Sequence, residues 1–141
     1  MENNKSHRYL IENDFSFQGF RCVVTGVSTG HRCGYIAIPK GHPLYEIPHD
    51  QLNQLDVYGG WTYSDLQTDF PVATDTPTWW IGFDCGHSGE SCDFQLMEEL
   101  GEAKLVSTMR KGMGFEAGSV NSIDFVISEL KSAVKQLSKL G

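Results

Sequence analysis

Thr78-Trp79-Trp80-Ile81-Gly82-Phe83-Asp84 is the most strand-like run of the chain, and the fold is decided there. A short run that is apolar almost throughout, entered through Pro77 and followed by Cys85-Gly86, reads as a strand covered on both faces. Successive side chains alternate, so Trp79 and Trp80 point to opposite sides; one fills a core and the other is open to a site. Upstream, Phe20-Arg21-Cys22-Val23-Val24-Thr25-Gly26-Val27 and Cys33-Gly34-Tyr35-Ile36-Ala37-Ile38 flank the turn Ser28-Thr29-Gly30-His31. They read as a β-hairpin. Pro39 closes it, because proline cannot donate to a central ladder. Residues 1–14 are polar and read as a frayed N-terminal segment. The stretch 44–58 reads as irregular, with one helical turn near 49–55. Gly59-Gly60 reads as a tight turn, and Trp61-Thr62-Tyr63 as a short strand. Residues 67–77 and 85–92 read as loops, 93–100 as a short helix and 109–118 as a glycine-broken loop.

The C-terminal segment is the second fixed point. Ile123, Val126, Ile127, Leu130, Val134 and Leu137 recur at helical spacing and form one apolar stripe. Asn121 or Ser122 caps this helix, Asp124 and Lys139 suit the two ends of its dipole, and Gly141 stops it. Lys131, Lys135 and Lys139 read as a solvated face. The fold class is α+β: a small antiparallel β-sheet with long loops and one C-terminal amphipathic helix packed on it, in one domain spanning 1–141.

Composition bounds function. The chain has 141 residues, with 11 Lys and Arg against 18 Asp and Glu, a net charge of −7. An excess of negative charge repels a phosphate backbone, so nucleic acid is not the expected partner. No apolar run reaches the roughly 18 residues of a membrane span, and the polar start lacks the apolar heart of a signal peptide. A cytoplasmic protein without a membrane partner is expected, with Cys22, Cys33, Cys85 and Cys92 as thiols.

Three clusters carry candidate chemistry. The first, Asp84-Cys85-Gly86-His87-Ser88-Gly89-Glu90-Ser91-Cys92, follows the central strand. Loops at strand ends combine fixed backbone with accessible side chains. Asp84, His87 and Glu90 could share proton transfer, and Cys85, His87 and Cys92 could supply three zinc ligands. Cys-x-Cys or Cys-x2-Cys pairing is missing and no fourth ligand stands nearby, so no metal or cofactor is expected. The second cluster is Gly41-His42-Pro43-Leu44-Tyr45, with His49 and Asp50 further on, and its histidines could be drawn together with His87. The third is Tyr58-Gly59-Gly60-Trp61-Thr62-Tyr63, where paired glycines admit a close ligand and aromatic faces offer stacking. No phosphate-binding glycine loop, nucleophile elbow or HExxH is present.

These motifs in order, Pro39-Lys40-Gly41-His42-Pro43-Leu44-Tyr45, then Val57-Tyr58-Gly59-Gly60-Trp61-Thr62-Tyr63, then Trp79-Trp80-Ile81-Gly82-Phe83-Asp84-Cys85-Gly86-His87, resemble a family of small proteins of bacteria and their phages. That family's pattern reads PKGHPLY, VHGGLTY and WWxGFDCAHAGD, closed by a helix like the one from Ile123 to Leu137. Tyr58 stands where the family has His, and Glu90 where it has Asp, a carboxylate on a longer arm. The phage members are similar in size and compactness to proteins that disarm host nucleotide immune signalling. By that analogy the resemblance implies a phage-type anti-defence protein in the host cytoplasm that sequesters a cyclic nucleotide or ADP-ribose derivative. Tyr58, Trp61, Tyr63 and one of the pair Trp79 and Trp80, here Trp80, would stack the base. His42, Lys40, Asp84 and His87 would hold ribose or phosphate with the Gly59 and Gly60 amides, and Arg32 would help offset the acidic charge. A hydrolase using Asp84, His87 and Glu90, and a non-catalytic interaction domain, are the alternatives. Two copies are expected to pair, a homodimer completing the pocket.

Overall fold

The structure, a computed structural model, describes residues 9–28, 30–85, 94–102, 104, 107 and 122–140. Five strands form one antiparallel sheet: β1 (Tyr9–Phe17), β2 (Phe20–Val27), β3 (Arg32–Ile38), β4 (Tyr63–Gln67) and β5 (Thr78–Asp84). Their spatial order is β1-β2-β3-β5-β4. A 3-10 turn (His49–Gln51), a six-residue helix, α1 (Phe94–Glu99), and an 18-residue helix, α2 (Ile123–Leu140), complete the described elements. The small α+β fold expected from the sequence is the one observed, with the hairpin of β2 and β3 and the strand β5 at its centre.

One face of the sheet lies under α2. Cys22, Val24, Ile36, Ile38, Ile81 and Phe83 meet Val126, Leu130, Ala133, Val134 and Leu137 of the apolar stripe. Leu44, Leu52 and Leu55 from the stretch between β3 and β4 close the flank of that core. Ser122 caps α2, its Oγ accepting the Phe125 N–H at 3.1 Å. Gly34 lets the helix come close: a Cβ there would sit 2.7 Å from the Phe83 ring and 3.0 Å from Val126. The opposite face holds a second, aromatic core of Val23, Tyr35 and Trp80, covered by Tyr63, Phe70 and Val72. Tyr35 lies directly over Gly82.

Two expectations are corrected. The segment 1–14, expected to be frayed, contains β1, which begins at Tyr9 and pairs with all of β2; residues 1–8 lie outside the described residues. The strand was hidden because its register shifts between Ile11 and Asn13. Before this bulge Tyr9 faces the aromatic core, and after it Phe15 and Phe17 pack under α2, so no single alternation runs through it. Gln18 and Gly19, both at positive φ, make the two-residue turn into β2. The second correction concerns the short strand, which starts at Tyr63 and runs on through polar residues to Gln67; Trp61 precedes it. The loop expected at 109–118 lies outside the described residues.

Candidate functional site

β3 and β5 run antiparallel, so the two ends of the sheet hold different side chains. Ile38 pairs with Trp79 at one end and Cys33 with Asp84 at the other. Five residues of strand separate these ends, about 17 Å. The site expected from the sequence joined Lys40 and His42 to Asp84, and these residues are therefore divided between the two ends.

At the Asp84 end the side chains mostly hold the fold. Asp84 Oδ2 accepts the Thr62 hydroxyl at 3.3 Å. Trp61 donates its indole N–H to the Leu55 carbonyl at 2.9 Å and stands edge-on to Phe83. Tyr58 stands edge-on to Phe125, and its N–H is accepted by Glu129 at 2.8 Å. Gly59 and Gly60, both at positive φ, make the exposed turn between them. These contacts tie the loop to α2. His87, Glu90, Gly86 and Cys92 lie outside the described residues, so neither the hydrolytic trio nor the zinc set has a described geometry. Among the described residues no three His, Cys, Asp or Glu gather as metal ligands, and no helix is long and apolar enough to cross a membrane.

Two of the expected stacking residues face the aromatic core instead. Trp80 is fully buried, so it cannot stack a ligand. Its parity places it against Tyr35 and Val23, between two covered faces. Tyr63 packs its ring edge against Tyr35 and Phe70, at 5.6 Å from each. Burial, ahead of the neighbouring Asp65 carboxylate, pushes its hydroxyl up to about 12.

His42 and Arg32 are also committed. His42 Nδ1 accepts the Leu44 N–H at 3.0 Å, while Nε2 lies 2.9 Å from the Leu137 carbonyl. A carbonyl can only accept, so the ring proton sits on Nε2 and caps the last turn of α2. His49, at the start of a short 3-10 turn, is bonded through Nδ1 and its N–H to Ser64 Oγ and does not join His42. Arg32 is buried and forked onto Glu12 at 2.8 and 3.2 Å. Its charge serves that internal pair rather than a ligand.

The open concavity lies at the other end of the sheet. A cleft of about 390 Å³ runs between the β1–β2 turn, the end of β3 and the start of β5. Arg21, Lys40, Tyr45 and Trp79 line it, with Pro39 and Pro77 as rigid walls. Arg21 is held by Asp14 through Nε–Oδ1 at 2.9 Å and Nη2–Oδ2 at 2.6 Å. That pair uses two of five guanidinium donors and fixes the direction of the others. Lys40 is exposed on the rim. The described lining holds no carboxylate, imidazole or thiol. Of the expected ligand residues Lys40 lines the cleft, together with Tyr45 of the second cluster and Trp79, the partner of Trp80 in the open choice between the two; Arg21 was missed. The signal for Arg21 was the hairpin register, which brings the start of β2 to the end of β3. Compared with protein-family models, characterised proteins and solved structures, the chain matches none.

Proposed function

We propose that this chain is a binding protein for a planar, anionic small molecule of the nucleotide-derivative class, held in the cleft of Arg21, Lys40, Tyr45 and Trp79. One observation carries the reading: two cations and two aromatic residues line a concavity of about 390 Å³ in a chain of net charge −7. The volume suits a mononucleotide-sized ligand, since small-molecule pockets run from about 300 to 1,000 Å³. An aromatic face gives a base roughly 1–3 kcal/mol of stacking. Arg21, pre-oriented by Asp14, and Lys40 supply donors to phosphate. Binding is favoured over hydrolysis because the described lining holds no carboxylate or imidazole to activate a water. Capture without turnover is sequestration, the role that the resemblance to small phage-type proteins implies for a nucleotide immune signal.

The test is incubation with ADP-ribose and with a cyclic mononucleotide, removal of unbound ligand, denaturation, and analysis of what is released. Intact ligand at one equivalent or less is expected. Lys40→Glu, at an exposed position, should weaken capture by about tenfold or more, the loss of a charged contact. Many turnovers per protein, or no capture of either ligand, would sink the proposal.

A further inference from the structure

The two cations of the cleft are not equivalent. Arg21 holds Asp14 at 2.6 Å through Nη2 and at 2.9 Å through Nε. That pair occupies one side of the guanidinium and offsets its charge at contact distance. It leaves the Nη1 protons and one on Nη2, a fork that suits two oxygens of one phosphate. Lys40 is exposed, and among the described residues it has no ion-pair partner. Arg21, Lys40 and Asp14 together thus carry one uncompensated positive charge. The next carboxylates along the chain, Glu46 and Asp75, are exposed and directly follow or precede lining residues Tyr45 and Thr76. They can only subtract from that charge.

The aromatic wall does not read the base. Trp79 lines the cleft and is half-buried, while its indole nitrogen is shielded from solvent and has no hydrogen-bond partner among the described residues. The cleft therefore meets the carbon surface of this ring, which stacks on any base. Discrimination among ligands of one base falls to the phosphate. The volume of about 390 Å³ stands toward the lower end of the range of about 300–1,000 Å³ for small-molecule sites and favours a compact ligand.

We infer that the cleft selects a ligand bearing a single phosphodiester charge, a cyclic mononucleotide, over a phosphomonoester or a pyrophosphate such as ADP-ribose. The inference rests on the cleft being a nucleotide site. A cyclic diester has one negative charge and two free oxygens, which the Arg21 fork receives while Lys40 balances the charge. A terminal phosphate bears about −1.5 to −2 at pH 7, and a pyrophosphate bears one charge on each phosphate. Their second charge has no cation left in the described lining. A phosphate on the fork also stands across one guanidinium from Asp14, inside the screening length of about 8 Å at physiological salt.

The experiment titrates the protein with adenosine, 3′,5′-cyclic AMP, AMP and ADP-ribose by calorimetry at physiological salt. Cyclic AMP should bind about tenfold or more tightly than each of the other three. In Lys40→Gln its affinity should fall to within about threefold of that of adenosine. Asp14→Asn keeps the shape and removes the charge, so AMP and ADP-ribose should gain about threefold or more relative to cyclic AMP. If Asp14 did no more than orient Arg21, the same change would weaken all three nucleotides alike. AMP or ADP-ribose bound as tightly as cyclic AMP, ratios unchanged in Asp14→Asn, or a cyclic AMP affinity unchanged in Lys40→Gln, overturns the inference and leaves a nucleotide site in place. Binding of none of the nucleotides, or adenosine bound as tightly as cyclic AMP, overturns the cleft reading and the inference with it. Lys40 is exposed, so its arm of the test stands even where Asp14→Asn disturbs the β1–β2 hairpin.

Discussion

Gly82→Ala tests the packing of the aromatic face with a single carbon. A Cβ at this position would stand 2.5 Å from Tyr35 Cδ2, 2.8 Å from Cε2 and 3.0 Å from the Gly34 carbonyl oxygen. Carbon atoms pack best at about 3.5–4.0 Å, so the shortfall is about 1 Å. The ring has little room to retreat. Tyr35 is 6% exposed, and the centres of the Tyr63 and Phe70 rings stand 5.6 and 5.3 Å from its own. The carbonyl belongs to the β3 backbone and moves only with the ladder. Alanine itself would otherwise help, by about 0.4–1 kcal/mol through the unfolded chain, so the sign depends on the clash. Overpacking of this kind costs about 1–3 kcal/mol. A net loss near 2 kcal/mol corresponds to a fall in melting temperature of about 7 °C at the usual entropy per residue. Urea unfolding followed by tryptophan fluorescence reads it, in the wild-type background and in Tyr35→Val, which removes the ring. The penalty should shrink by more than half in the second background. A loss below about 0.5 kcal/mol, or the same loss in both backgrounds, would refute the argument.

His42→Ala removes an acceptor for the Leu44 N–H and a donor to the Leu137 carbonyl. The expected loss is about 1–3 kcal/mol, with faster amide exchange at Leu44; an unchanged urea midpoint would mean that the ring is dispensable. Alkaline pH should destabilise the fold, because burial first of all pushes the thiols of Cys33 and Cys22 from 9.0 up to about 11 and about 12. The folded chain keeps protons that the unfolded chain releases, so this contribution is whole below about pH 9 and is lost between pH 9 and those raised values. A urea midpoint flat from pH 7 to 8.5 that falls above pH 9 is expected, and one that rises above pH 9 would contradict the burial of both thiols.

The parts of the fold that were legible are those whose neighbours cover them completely. β2, β3 and β5 carry runs of β-branched and aromatic residues because they occupy the centre of the sheet, and α2 shows its stripe because one face meets the core. The edges escaped for the opposite reason. In β1 the bulge shifts alternation by one residue in mid-strand. In β4, Ser64, Asp65 and Gln67 are polar, and the strand exists because the adjacent β5 supplies its ladder. An edge strand held by its partner need not look like a strand.

The site was harder for a related reason. Residue types mark possible chemistry, but direction along a strand decides which types meet. Two motifs joined in the reading fall at opposite ends of an antiparallel pair, and the parity of adjacent tryptophans cannot be told when both faces of a strand are covered. His42 has the right chemistry for a ligand, yet both ring nitrogens are occupied in holding the end of α2. Net charge misleads in the same way. The total of −7 argued against an anionic ligand, but a sum over the chain says nothing of position. Exposed charges beyond about 8 Å are largely screened at physiological salt, so the field at the cleft is set by what lies around it. Arg21 and Lys40 line it. An acidic chain can thus present a basic cleft, and the distant carboxylates then act mainly by keeping other polyanions from the rest of the surface.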